Sequence, residues 1–254
     1  MIILIILTVD IDNVDKIDIS ALRKLIFTGI PDGYPGVRNI VWRLLIDNLS
    51  LDTSQWSQQI EKNFITYEDL KRELIVKPKI KADEEHAAEK KKIMDHPLST
   101  NKESVWNTFF KDQELWDEIE KDVKRTRTDM EFFYLALDKD RCTSSVDLAQ
   151  LRRQHEAKKM ELKPVDLANY LETHADMLHR VLFIYAKLNP AVKYIQGMNE
   201  VLAVLYYCFL EETELVGEKY RESSLFFTFT NLMAEMKEGF LREMDKDKGG
   251  LQTL

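Results

Sequence analysis

Residues 112–125 read Asp112-Gln113-Glu114-Leu115-Trp116-Asp117-Glu118-Ile119-Glu120-Lys121-Asp122-Val123-Lys124-Arg125. Wound at about 100° per residue, the stretch places Leu115, Trp116, Ile119 and Val123 on one arc. Glu118, Glu120, Lys121 and Lys124 fall outside that arc, and Asp122 lies at its edge. The spacing predicts an amphipathic helix, capped by Asp112 and ending near Arg125. One carboxylate, that of Asp122, is turned toward the core. Arg125 sits beyond the apolar arc in the last turn and projects toward solvent from a rigid support. Taken alone, such an arginine only complements the helix dipole.

Outward from this helix the same period recurs. On the N-terminal side, a short helix capped by Ser20 runs to Phe27, and the Gly- and Pro-rich segment 28–36 breaks it. Helix resumes from Val37 to Asn48, and a longer one covers Thr53 to Val76. The charge-rich run 77–92 reads as a solvated segment, followed by a turn at 95–98. On the C-terminal side, 143–161 is polar and reads as a surface insertion. Two apolar helices follow, Val165 to Leu188 and Met198 to Leu210, separated by Asn189-Pro190. A last helix spans Ser223 to Met244. The organisation expected is an N-terminal segment 1–19, one domain over 20–245 with insertions at 77–94 and 139–163, and a tail 246–254. No internal repeat is visible.

Composition agrees with helix. The chain has 254 residues, of which 44% are hydrophobic, enough for a sizeable core. Gly and Pro together number 8 + 6 = 14, where average usage would give roughly 30. So few breakers argue against a many-stranded β sandwich. Lys and Arg number 36 against 44 Asp and Glu, a net charge of 36 − 44 = −8. That balance argues against a nucleic-acid partner, since the phosphate backbone demands a cationic face. The two cysteines, Cys142 and Cys208, have no metal or redox spacing, and a reducing compartment is the expectation. The apolar start, 1–7, is about a third of a membrane span, and neither a basic n-region nor a cleavage site accompanies it. His86, His96, His155, His174 and His179 form no H-E-x-x-H or comparable set, so no metal site is expected and a metal-dependent hydrolase is set aside.

Two further segments stand out. Projection of Val37 to Leu49 places Val37, Val41, Trp42, Leu44, Leu45 and Leu49 on one arc, with Arg38 inside it and Arg43 pointing the other way. A guanidinium on an apolar face needs a partner, because an unpaired buried charge is very costly. A bidentate pair between Arg38 and Asp122 is therefore expected, and its plainer reading is an ordinary buried salt bridge. The other segment is Tyr194-Ile195-Gln196-Gly197-Met198-Asn199, ahead of an apolar helix. Gln196 beside Gly197 can present its amide outward with the backbone close to a partner. On spacing alone it is a polar residue near a helix start.

Taken together and in order, these segments resemble the TBC-domain Rab GTPase-activating proteins. The R-x-x-x-W motif of that family stands as Arg38-Asn39-Ile40-Val41-Trp42. Its I-x-x-D-x-x-R motif stands as Ile119-Glu120-Lys121-Asp122-Val123-Lys124-Arg125, and its Y-x-Q-G motif as Tyr194-Ile195-Gln196-Gly197. Each alone is weak, but three in order over the 160 residues from Arg38 to Gly197 are specific. The stretches 104–112, 180–190 and 226–235 are similar to the member 13 branch of the family.

The resemblance implies an all-α TBC helical domain and a Rab-family small GTPase as partner. It implies that GTP hydrolysis is stimulated by two side chains supplied in trans, Arg125 as arginine finger and Gln196 as glutamine finger. Arg38, Trp42, Asp122, Tyr194 and Gly197 would support them. No cofactor belongs to this chain, because GTP and Mg2+ come with the GTPase. The expected location is cytoplasmic, reaching endomembranes only through the partner. Two departures are visible. After Arg125 the family usually has Thr, an aromatic and Pro, whereas this chain has Thr126-Arg127-Thr128-Asp129. The finger's exit is then expected to be less rigid, and Arg127 could compete for the role. The family domain also continues well past its glutamine motif, so the domain is expected to be truncated in its C-terminal half. Apolar faces on 202–209 and 225–236 would then lose their packing partners and stand exposed. The alternative to a catalytic activator is a non-catalytic TBC module that binds a GTPase as a helical scaffold.

Overall fold

The computed structural model describes residues 9–10, 13–30, 36–76, 105–137, 172–210 and 217–247. The insertions expected at 77–94 and 139–163 lie outside the described residues. The chain is mainly helical. A small antiparallel pair, β1 (Val9–Asp10) and β2 (Asn13–Ile17), with Val9 opposite Ile17, precedes seven helices among the described residues. They are α1 (Ile19–Leu25), α2 (Val37–Leu45), α3 (Trp56–Lys71), α4 (Val105–Val123), α5 (His174–Leu188), α6 (Met198–Cys208) and α7 (Glu218–Asp247). Among the described residues no helix is long and apolar enough to cross a membrane.

The residues divide into two compact units, Met1–Tyr67 with Asn189–Leu254, and Glu68–Leu188. In the first unit Ile17, Leu22, Val37, Ile40, Val41, Leu44, Leu49, Trp56 and Ile60 form one core cluster. Each fully buried aliphatic side chain of this kind contributes about 1.5–3 kcal/mol. α7 is tied to α3 by Tyr67, whose hydroxyl donates to Glu222 at 2.8 Å, and by Tyr220, which donates to Glu61 at 2.6 Å. The Tyr220 hydrogen bond holds the Glu61 carboxyl below the usual carboxylate range.

In the second unit α5 packs on α4. The Trp116 ring lies 4.1 Å from that of His179 and meets Phe183 edge-on at 4.9 Å. Every α5 residue from Asp176 to Ala186 is buried, as for a helix enclosed on all sides. Its start is a reciprocal cap. Thr173 N–H donates to Asp176 Oδ2 at 2.8 Å, and Asp176 N–H donates to Thr173 Oγ1 at 3.3 Å.

Several boundaries differ from expectation. Asp18, not Ser20, caps α1, its carboxylate accepting from Ser20 and Ala21 N–H. The Thr53–Val76 helix is a 3₁₀ turn, an α-helix and a closing π turn over Arg72–Val76. Asp112 is no cap, because α4 begins at Val105; its carboxylate instead accepts from Lys187 on α5 at 2.5 Å. A mid-helix aspartate with a tertiary cation is indistinguishable in sequence from a capping one. The apolar faces expected to stand open are largely covered. Leu202, Leu205, Phe209, Leu225, Phe226, Phe229 and Met233 are all buried, and exposure on these segments falls mainly on Val204, Tyr207 and Met236.

Candidate functional site

Arg125 stands where the second unit leaves helix. α4 closes on a tight turn, with Arg125 N–H donating to Asp122 O at 3.0 Å and Thr126 N–H to Val123 O at 3.1 Å. The buried Thr126 seals it by donating its hydroxyl to Asp122 O at 2.9 Å. Arg127 is left-handed, φ 46°, and its guanidinium donates to Asp129 at 3.0 Å. The Arg125 side chain is 68% exposed. Its guanidinium lies back along its own helix, Nη2 donating to Asp122 Oδ1 at 2.6 Å and Nε to Lys121 O at 3.1 Å. The turn after Arg125 is held from outside as well. Tyr134, on the 3₁₀ turn Glu131–Tyr134, places its hydroxyl 3.0 Å from Thr126 O and 3.2 Å from Lys124 O. The turn that lacks the family's Pro thus receives hydrogen bonds from a side chain nine residues after Arg125.

Gln196 belongs to the first unit and sits on the loop ahead of α6, exposed to solvent. The loop around it is built. Tyr194 is buried and its hydroxyl donates to Asn199 Oδ1 at 3.2 Å. The Gly197 N–H donates to the same oxygen at 3.1 Å. One amide oxygen thereby bridges the two flanks of Gln196. Gly197, φ 101°, is the left-handed residue opening α6. A Cβ there would meet nothing within 4 Å, so the glycine serves the backbone and not the space around it.

Comparison with known proteins bears on this arrangement. The family model described as the Rab-GTPase-TBC domain matches residues 148–254. TBC1 domain family member 13 of Homo sapiens is 34% identical, over 95% of this chain and 68% of its own length. The Mus musculus protein of that name gives the same figures. A TBC domain-containing protein of Schizosaccharomyces pombe is 26% identical over 93% of this chain and 50% of its own. The crystal structure of the Ypt/Rab-GAP domain of Gyp1p superposes with a TM-score of 0.55 at 16% identity, covering 94% of this chain and 59% of that one. The chain belongs to the TBC family of Rab GTPase-activating proteins.

The all-α TBC fold read from the motifs is therefore the fold present. The matched segment 148–254 of this TBC chain includes Tyr194, Gln196 and Gly197, while Arg38, Trp42, Asp122 and Arg125 precede it. Arg38 is half-buried and donates to Ile30 O at 3.5 Å; it lies in the first unit and Asp122 in the second. Trp42 is likewise half-buried. The projection of α2 is wrong at Arg43. That side chain is not turned to solvent but wholly buried, at 0% exposure. Its Nε donates to Asn48 Oδ1 at 2.9 Å, while Nη1 and Nη2 have no hydrogen-bond partner. Burial without a counter-charge pulls its pKa down to about 10. A projection assumes one buried face, yet α2 buries Val37, Asn39, Ile40, Val41, Arg43 and Leu44, on more than one side.

Sequence reasoning missed two residues that hydrogen-bond the turns beside Arg125 and Gln196, namely Tyr134 and Asn199. An Asn two positions after a glycine at a helix start is a readable turn signal. Nothing in the sequence marks Tyr134. Among the described residues no three His, Cys, Asp or Glu side chains converge as a metal site requires.

Proposed function

We propose that the chain stimulates GTP hydrolysis by a Rab-family GTPase, with Arg125 as arginine finger and Gln196 as glutamine finger. The observation that carries this reading is the presence of both motif side chains at solvent, each on a braced turn. Phosphoryl transfer asks for positioning and charge stabilisation rather than covalent chemistry from the protein. The Arg125 guanidinium would neutralise charge developing on the γ-phosphate and the bridging oxygen. The Gln196 amide would orient the attacking water. GTP and Mg2+ arrive with the partner, and membrane contact follows from the partner's own anchor.

Magnitudes favour release of Arg125 from Asp122. The Arg125 end of the pair is at solvent but Asp122 is buried, so the charge-assisted hydrogen bond is worth about 1.5–3 kcal/mol. An arginine finger is worth about 10³–10⁵ in rate, or roughly 4–7 kcal/mol. The swing away from Asp122 therefore costs less than the transition state returns. Arg125 is preferred over Arg127 because it occupies the motif position.

The test is single-turnover GTP hydrolysis across a panel of GTP-loaded Rab proteins. The expected result is stimulation of at least one member, with Arg125→Ala lowering it by about 10³-fold or more and Gln196→Ala also lowering it strongly. Stimulation that survives both changes removes the dual-finger mechanism. Binding of a GTP-loaded Rab without acceleration would identify the chain as a scaffold instead.

A further inference from the structure

We propose that Tyr134 is a positioning residue for Arg125, a reading that rests on the arginine-finger function above. Its hydroxyl lies within hydrogen-bond distance of two carbonyls, those of Lys124 and Thr126, and these flank Arg125 in the chain. A phenol has one hydrogen to donate, so the two acceptors share it or alternate. Either way the peptide groups on both sides of the finger are drawn to one point outside their own helix.

That point is itself anchored. Phe133, the residue before Tyr134, is 1% exposed, and the neighbouring Phe132 ring packs on it at 4.0 Å between centroids. The segment beyond is laced to the start of α5. His174 N–H donates to Leu135 O at 3.3 Å, Leu137 N–H donates to Glu172 O at 2.6 Å, and Ala136 pairs with Thr173. The Tyr134 ring remains 40% exposed, so the hydroxyl does not serve to fill a core.

The last turn of a helix frays readily, and the finger exit has Thr126-Arg127-Thr128-Asp129 with no proline to stiffen it. The Tyr134 bridge transfers rigidity from α5 to that exit. Small displacements at a reacting centre cost large factors in rate, so the bridge acts on the catalytic step more than on encounter.

The experiment uses the full chain and the Rab that responds in the panel. Tyr134→Phe removes one oxygen and keeps the ring. The expected result is a roughly tenfold fall in kcat with KM changed less than about twofold, at unchanged circular dichroism. Amide hydrogen exchange at 126–128 should accelerate in the same variant. If wild-type protein stimulates, Arg125→Ala abolishes stimulation and Tyr134→Phe retains full kcat, the role of Tyr134 is overturned and the finger reading stands. A rise in KM at constant kcat overturns it too, because the hydroxyl would then serve binding. If wild type accelerates no Rab, or Arg125→Ala has no effect, the finger reading and this inference fall together.

Discussion

Arg43 carries a guanidinium to 0% exposure with one hydrogen bond, to Asn48, and two terminal nitrogens without partners. Burial lowers its pKa from the ordinary arginine range to about 10. The sign follows from proton binding. Above about 10, and up to the ordinary arginine range, the unfolded chain holds more protons than the folded one, so stability rises with pH there, and below about 10 the charge burial penalty is felt in full. That penalty is on the order of 3 kcal/mol at 1.36 kcal/mol per pH unit. Arg43→Met keeps the volume and removes the charge, while the Asn48 oxygen loses its donor at a cost of about 1–3 kcal/mol. We expect a net gain near 1 kcal/mol, read as a higher urea midpoint at neutral pH. A clear loss of stability would show the guanidinium to be well accommodated. At this scale Arg125 and Gln196 were legible as candidates because motif spacing names them. Arg43 was not, because its burial depends on what covers the second face of α2.

At the scale of elements, caps, breakers and amphipathic period led to a helix being expected at each of α1 to α7, although ends moved by several residues. Asp112 reads as a cap and is a tertiary ion-pair partner of Lys187, and Ser20 reads as a cap while Asp18 fills that role. For Asp112 local chemistry offers either use and the neighbouring α5 selects, whereas the Asp18 cap is itself local, its carboxylate meeting the Ser20 and Ala21 N–H groups. The loop that opens α6 likewise makes a local demand. Gly197 holds φ 101° with open space where a Cβ would stand. Gly197→Ala should therefore cost about 1–2 kcal/mol, all of it backbone strain. Chemical denaturation measures that cost, and stimulation should fall with it because Gln196 rides on the same loop. A neutral substitution would mean that the loop relaxes without penalty.

At the scale of the molecule, Arg125 and Gln196 come from different compact units, 71 positions apart in sequence (196 − 125). If both act on one transition state, their effects are not independent. Arg125→Ala combined with Gln196→Ala should lose little beyond the more damaging single change in single-turnover rate. Losses that multiply would mean that each side chain works alone.

Sequence by itself determined the helical class, through few breakers and a 3.6-residue period, and it carried the three motifs that place the chain in its family. These are properties of short stretches, carried by residue identity and spacing. Tertiary structure alone decided that Arg43 is the buried cation of α2, that Asp112 serves Lys187, that the faces of α6 and α7 are mostly covered, and that Tyr134 braces the turn of Arg125. Each of those depends on which distant segment arrives beside the residue. Burial and hydrogen-bond partnership are properties of that arrival, so no local pattern records them.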